Sequence, residues 1–208
     1  EAGEWYLNKH KGYLYYIPHP GEDIQIFERD VPGENKAGYS GDMDISNLSL
    51  ETCQTMNGMW GYKVADQNYK SLDYLIQLLV KTSGMGANLL LNIGPQPSGE
   101  LPVVALERLK GMGEWLRENG ESIYETVAGD IKPQSWGVTT RKGDVLYVHI
   151  LNLKENSLYL PLNFSVKSIT TLADGRKIRY EKTQDGVILK FDEAIVGPDY
   201  IIKIVEKR

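Results

Sequence analysis

The sequence predicts a mixed architecture, an α/β part over residues 1–126 followed by an all-β part over residues 127–208. Three observations carry this reading. An amphipathic helix is followed directly by a short, nearly continuous apolar run, and then by a second helix, which is the alternation of a βα repeat. Helical periodicity stops near residue 126. Beyond it, turn signals recur about every ten residues between short strand-like runs, the pattern of a small antiparallel β-sandwich.

The elements follow in order. Tyr13-Leu-Tyr-Tyr-Ile17, closed by Pro18, and Ile24-Gln-Ile-Phe27, closed by Pro32-Gly33, read as strands. Residues 33–49 are rich in Gly, Asn, Ser and Asp without a period and read as a long loop. Leu72, Leu75, Ile76, Leu79 and Val80 form one apolar stripe of helical spacing, with Ser71 as N-cap and Gly84-Met-Gly86 as the stop. Ala87-Asn-Leu-Leu-Leu-Asn-Ile93 is too short for a helix and fits a strand buried on both faces of a parallel sheet. A second helix starts near Pro102 or Val103, points Leu106, Leu109, Met112 and Leu116 inward, and stops at Asn119-Gly120.

In the all-β part, strands are expected over residues 144–151, 157–162, 168–172 and 200–205. Residues 178–182 are expected to pair with 187–191 across Gln184-Asp185-Gly186. On the first of these strands Leu146, Val148 and Ile150 share one face, and Val145, Tyr147, His149 and Leu151 the other, so both faces are expected to be covered. A complete (β/α)8 barrel takes typically about 250 residues. The α/β part therefore holds about half of one; it is either a small unit of its own or the C-terminal portion of something larger.

Composition narrows the function. The 208 residues carry 23 Lys+Arg against 28 Asp+Glu, a net charge of −5 with no dense basic block, so a nucleic-acid partner is not expected. No run approaches the roughly 20 apolar residues of a membrane span. No leader is expected in this chain, which opens Glu1-Ala2-Gly3. The lone Cys53 excludes an internal disulfide and a Cys-rich zinc site, and reads as a structural thiol. His10, His19 and His149 have no metal-ligand spacing, and neither metal nor cofactor is expected. Gly94-Pro-Gln-Pro-Ser-Gly99 lacks the phosphate-loop ending, so nucleotide binding is not expected.

Glu28 ends the second strand-like run, beside Phe27, and in a βα fold active-site residues sit at strand C-terminal ends. A carboxyl in apolar surroundings is the group a general acid requires; the plain alternative is a surface Glu paired with Arg29. Glu51 reads as a second carboxylate candidate or a loop anchor, and Asp66 as part of a solvated loop. Trp60, in Met59-Trp60-Gly61-Tyr62, reads either as an aromatic face for a ligand such as a sugar or as a core residue.

Three segments in series, Phe27-Glu-Arg-Asp-Val-Pro-Gly33, Glu51-Thr-Cys-Gln-Thr-Met-Asn-Gly-Met-Trp-Gly-Tyr62 and Gly86-Ala-Asn-Leu-Leu-Leu-Asn-Ile-Gly-Pro95, are followed by Gly113-Glu-Trp-Leu-Arg-Glu-Asn-Gly-Glu-Ser-Ile-Tyr124. Together they resemble the α-L-fucosidases of glycoside hydrolase family 29, over residues 27–126. The resemblance implies the C-terminal half of a (β/α)8-like barrel followed by an antiparallel β-sandwich. It implies hydrolysis of terminal α-L-fucose with retention, on a fucosylated oligosaccharide or glycoconjugate. Glu28 then matches the family's general acid/base, with Glu51 in reserve, and Trp60 the aromatic against the fucose C6 methyl. The family's nucleophilic Asp and its fucose-binding histidines lie upstream, and no residue here matches them; the missing N-terminal half of the barrel is thus an implied partner. The location implied is periplasmic or secreted, or lysosomal in a eukaryote. The alternative is a non-catalytic carbohydrate-binding or structural module.

Overall fold

The structure is a computed structural model and describes residues 5–8, 13–16, 50–193 and 195–207, with side chains from residue 51 onward. The chain forms two compact units, Glu1–Glu34 and Asn35–Arg208. In the first, β1 (Trp5–Asn8) and β2 (Tyr13–Tyr16) pair antiparallel, Trp5 opposite Tyr16. The strand expected at residues 13–17 is present. The runs expected at 24–27 and 33–49, and Glu28, lie outside the described residues.

The second unit begins as a β–α–β unit. Strand β3 (Leu50–Thr55) runs parallel to β4 (Ala87–Asn92), connected by α1 (Leu72–Gly84), and α2 (Val103–Asn119) follows. Strand β3 was not legible, because Glu51, Thr52, Gln54 and Thr55 carry no apolar signal. The helix α1 forms where its stripe and caps place it. The Ser71 hydroxyl accepts from the Tyr74 N–H at 3.2 Å. Asp73 in the first turn and Lys81 in the last complement the helix dipole. Leu75, Ile76, Leu78 and Val80 are buried.

The second helix departs from expectation. Ala105 and Met112 are its buried positions, whereas Leu106 and Leu109 are exposed and Leu116 is half-buried. The cause lies in the crossing with α1. A Cβ on Gly111 would come within 2.6 Å of the Leu72 side chain, so α2 meets α1 with Leu72 seated on this glycine.

The remainder is antiparallel. A five-stranded sheet has the order β5-β6-β7-β12-β9. These are Val127–Ala128, Gly137–Lys142, Val145–Ile150, Tyr200–Glu206 and Val166–Thr171. A three-stranded sheet has the order β10-β11-β8, from Arg179–Lys182, Gly186–Lys190 and Ser157–Pro161. The expected pairing of residues 178–182 with 187–191 is present, Tyr180 opposite Leu189. Leu146, Val148, Ile150, Ile202 and Ile204 of one sheet and Leu158, Leu160, Val187 and Leu189 of the other share one buried cluster.

Both faces of β7 are covered, as its pattern implied. Tyr147 and His149 are buried on the face opposite the two-sheet cluster. There the Thr140 hydroxyl lies 3.1 Å from His149 Nε2, and it donates to the Ser122 carbonyl at 2.6 Å. Ser122 belongs to a 3₁₀ turn, Gly120–Ser122, that ends α2. Val138 of β6 packs with Ile76 and Val80 of α1, and Trp115 and Ile123 lie against that cluster.

Candidate functional site

In a βα unit the strands' C-terminal ends carry the loops that hold ligands, because those loops are free to vary above a fixed sheet. Here β3 ends at Thr55 and β4 at Asn92, and residues 56–70 run from β3 to the start of α1. Trp60 is on this segment. Its side chain is 59% exposed, and Met59 beside it 46%. Trp60 is therefore not packed into the core of the described residues.

The backbone beneath it is held at several points. Met56 N–H donates to the Asn92 carbonyl at 3.0 Å, which joins the two strand ends. The Asn92 side-chain Nδ2 donates to the Trp60 carbonyl at 2.6 Å. The Lys70 ammonium donates to the carbonyls of Thr55 at 2.6 Å and Asn57 at 3.2 Å. Burial holds Lys70 below the usual lysine range, and the Asp66 carboxylate works against that shift. Asp66 Oδ2 accepts the Gly58 N–H at 2.9 Å. Arg108 of α2 donates to the Lys70 carbonyl at 3.0 Å, tying the segment to the helix layer. A Cβ on Gly94 would lie 2.4 Å from the Tyr62 nitrogen, so the turn after β4 packs backbone to backbone on Gly61-Tyr62. A hollow of about 310 Å³ opens beside these anchors, lined by Gly58, Met59, Lys63, Ala65 and Asp66.

The other residues singled out in the sequence lie elsewhere. Glu51 is not in a loop; it is the second residue of β3, exposed, opposite Asn88. At about 3.3 Å per residue it stands about 13 Å below Thr55, at the opposite end of the strand from the Trp60 segment. Cys53 is half-buried, its Sγ 3.9 Å from Glu51 Oε1. Asp66 lies in the solvated loop expected of it, and there it also organises the backbone by accepting the Gly58 N–H. Asn92 and Lys70 were not legible as site residues. Asn92 closes a run whose leucines dominate the pattern, and its polar break was the one available signal.

A family model described as α-L-fucosidase matches residues 8–121. Human plasma α-L-fucosidase is 38% identical over 109 residues, which are 49% of this chain and 23% of that protein. Human tissue α-L-fucosidase is 31% identical over 144 residues, 65% of this chain and 31% of that protein. The chain thus spans less than a third of the length of these curated relatives. Among solved structures, α-L-fucosidase isoenzyme 1 from Paenibacillus thiaminolyticus superposes with a TM-score of 0.71 at 32% identity, over 77% of this chain and 40% of that one. A glycoside hydrolase family 29 α-L-fucosidase from Bacteroides thetaiotaomicron has a TM-score of 0.69 at 25% identity, covering 77% and 38%. It is described as a covalent intermediate with 2-fluoro-fucosyl fluoride, trapped in a glutamate-to-glutamine mutant.

Proposed function

The chain belongs to the α-L-fucosidase family, and from that premise we propose that it is the C-terminal part of a retaining enzyme that removes terminal α-L-fucose from glycans. In this reading residues 1–126 are the latter half of a (β/α)8-like barrel and residues 127–208 a supporting β-sandwich. The parallel pairing of β3 with β4 around α1 supports the barrel assignment. So does the apolar surface left open at Leu90 of β4, since parallel sheets are normally covered on both faces.

The observation that carries the reading is the exposed Trp60 ring on an anchored segment at the strands' C-terminal ends. Such a face takes the C–H side of a sugar, here the fucose C6 methyl, by burying apolar area on both partners. Glu28 is the general acid/base. It protonates the departing glycosidic oxygen while an upstream Asp attacks the anomeric carbon, and it then deprotonates the water that cleaves the fucosyl-enzyme. The two carboxyl groups stand about 5–5.5 Å apart in such a mechanism. The intermediate trapped in a glutamate-to-glutamine mutant of the Bacteroides relative supports both retention and a glutamate in this role. The relatives named for plasma support a secreted enzyme.

The test is hydrolysis of aryl α-L-fucosides by the full-length enzyme and its Glu28→Gln variant. Turnover of a substrate with a poor leaving group falls about 10²–10⁴-fold, and a substrate with an activated leaving group loses far less. Near-wild-type turnover of the poor-leaving-group substrate removes Glu28 from the role. Sugar binding by the full-length protein without turnover favours the non-catalytic module.

A further inference from the structure

We propose that Asn92 is a positioning residue that aims Trp60 at the sugar; this rests on the reading of Trp60 as part of the fucose pocket. An aromatic side chain that is 59% exposed receives little orientation from packing. Its direction is therefore set by its own backbone. The carbonyl of Trp60 accepts the Asn92 Nδ2 hydrogen at 2.6 Å. The chemistry fixes the amide's orientation, since a backbone carbonyl accepts only and the nitrogen must face it.

Asn92 holds the segment at two points. Its main-chain oxygen accepts from Met56 as the chain leaves β3, and its side chain holds the loop four residues later. The neighbouring anchors leave this bond as the restraint at residue 60. Lys70 fixes residues 55 and 57, Asp66 fixes Gly58, and Gly94 abuts residues 61 and 62. With Asn92 removed, the peptide carrying the ring is free to rotate between fixed points, and the ring's face is no longer preorganised for the ligand.

A residue that merely closes the end of β4 would affect stability alone. The two roles separate in a double-mutant cycle on the full-length enzyme, with an aryl α-L-fucoside bearing an activated leaving group. Trp60→Ala, which removes the aromatic face, raises KM about tenfold or more with kcat little changed, and Asn92→Ala raises it by up to about tenfold, which is what one hydrogen bond is worth. The double variant is no worse than Trp60→Ala alone, because Asn92 acts through the ring. Additive effects, or a lowered Tm with KM unchanged in Asn92→Ala, overturn the proposal and leave the pocket assignment standing. An unchanged KM in Trp60→Ala overturns the pocket assignment and this proposal with it. Should Asn92→Ala fail to fold, Asn92→Asp keeps the shape, loses the facing N–H, and gives the same reading.

Discussion

His149 and Asp199 form a fully buried pair, Nδ1 to Oδ2 at 2.7 Å, on the face of β7 away from the two-sheet cluster. Thr140 lies on the other side of the imidazole, so a hydroxyl, a ring and a carboxylate stand in the order of a nucleophile triad. The hydrogen bonds exclude that role. The one Thr140 proton goes to the Ser122 carbonyl, which cannot donate, and Thr140 Oγ1 must then accept from His149 Nε2–H. The chain of bonds ties the turn ending α2 to the five-stranded sheet. Thr140→Val strands a buried N–H and a buried carbonyl together, and is expected to destabilise the protein by about 1–3 kcal/mol or more. Urea denaturation measures it; a neutral result means the network does not couple the turn to the sheet.

The contact of Gly84 with Val138 is a backbone approach that only glycine allows. An added Cβ would lie 2.4 Å from Val138 Cβ. Gly→Ala within a helix gains up to about 1 kcal/mol from propensity, while overpacking a tight contact costs about 1–3 kcal/mol. The clash wins, and Gly84→Ala is expected to lower stability. Combining it with Val138→Gly, which removes that Cβ and both methyls, should recover part of the loss relative to the sum of the single changes. An additive pair would show that the helix shifts instead.

Stability should fall on the alkaline side through Lys203 and Tyr147. Lys203 is raised above its ordinary 10.5, first by its hydrogen bond to Glu121 at 2.7 Å. Burial raises Tyr147 above 10.0. Both groups bind their protons more tightly in the folded protein. Their contribution is therefore complete below the unfolded values and lost as pH rises through the folded ones. Lys70, lowered by burial, has the opposite sign and gains stability as pH approaches 10.5. Denaturation midpoints should drop as pH rises past the ordinary tyrosine and lysine values of 10.0 and 10.5, and the drop should be smaller in Lys203→Met. An equal drop in that variant would remove Lys203 from the cause.

Periodicity made α1, β4 and most of the antiparallel strands legible, because each has enough apolar residues to define a face. It failed at β3, whose pairing with β4 rests on backbone bonds under polar side chains. It also misplaced the face of α2, since Ala105 and Gly111 carry little hydrophobic signal although they sit where the helices meet. Trp60 stood out in the sequence by its neighbours Gly61 and Tyr62, which left its exposure undecided until the fold placed it on an open loop. The anchors Asn92, Lys70 and Asp66 come from positions 8 to 32 residues away from the groups they hold and are unremarkable polar types, and become visible only when the strand ends come together.

Leu90 offers the last test, of the half-barrel itself. It is 48% exposed on β4, and β3 is that strand's one neighbour among the described residues. In a complete barrel every parallel strand has two neighbours and both faces are covered, so the full-length enzyme should bury this side chain. A charge placed there is then nearly neutral in the 208-residue chain. In the full-length enzyme it costs several kcal/mol, because a carboxylate is forced into an apolar layer. Leu90→Glu in both polypeptides, compared by thermal unfolding, separates the cases. Equal tolerance in the two would mean that nothing upstream covers β4, and the α/β part would stand as a unit of its own.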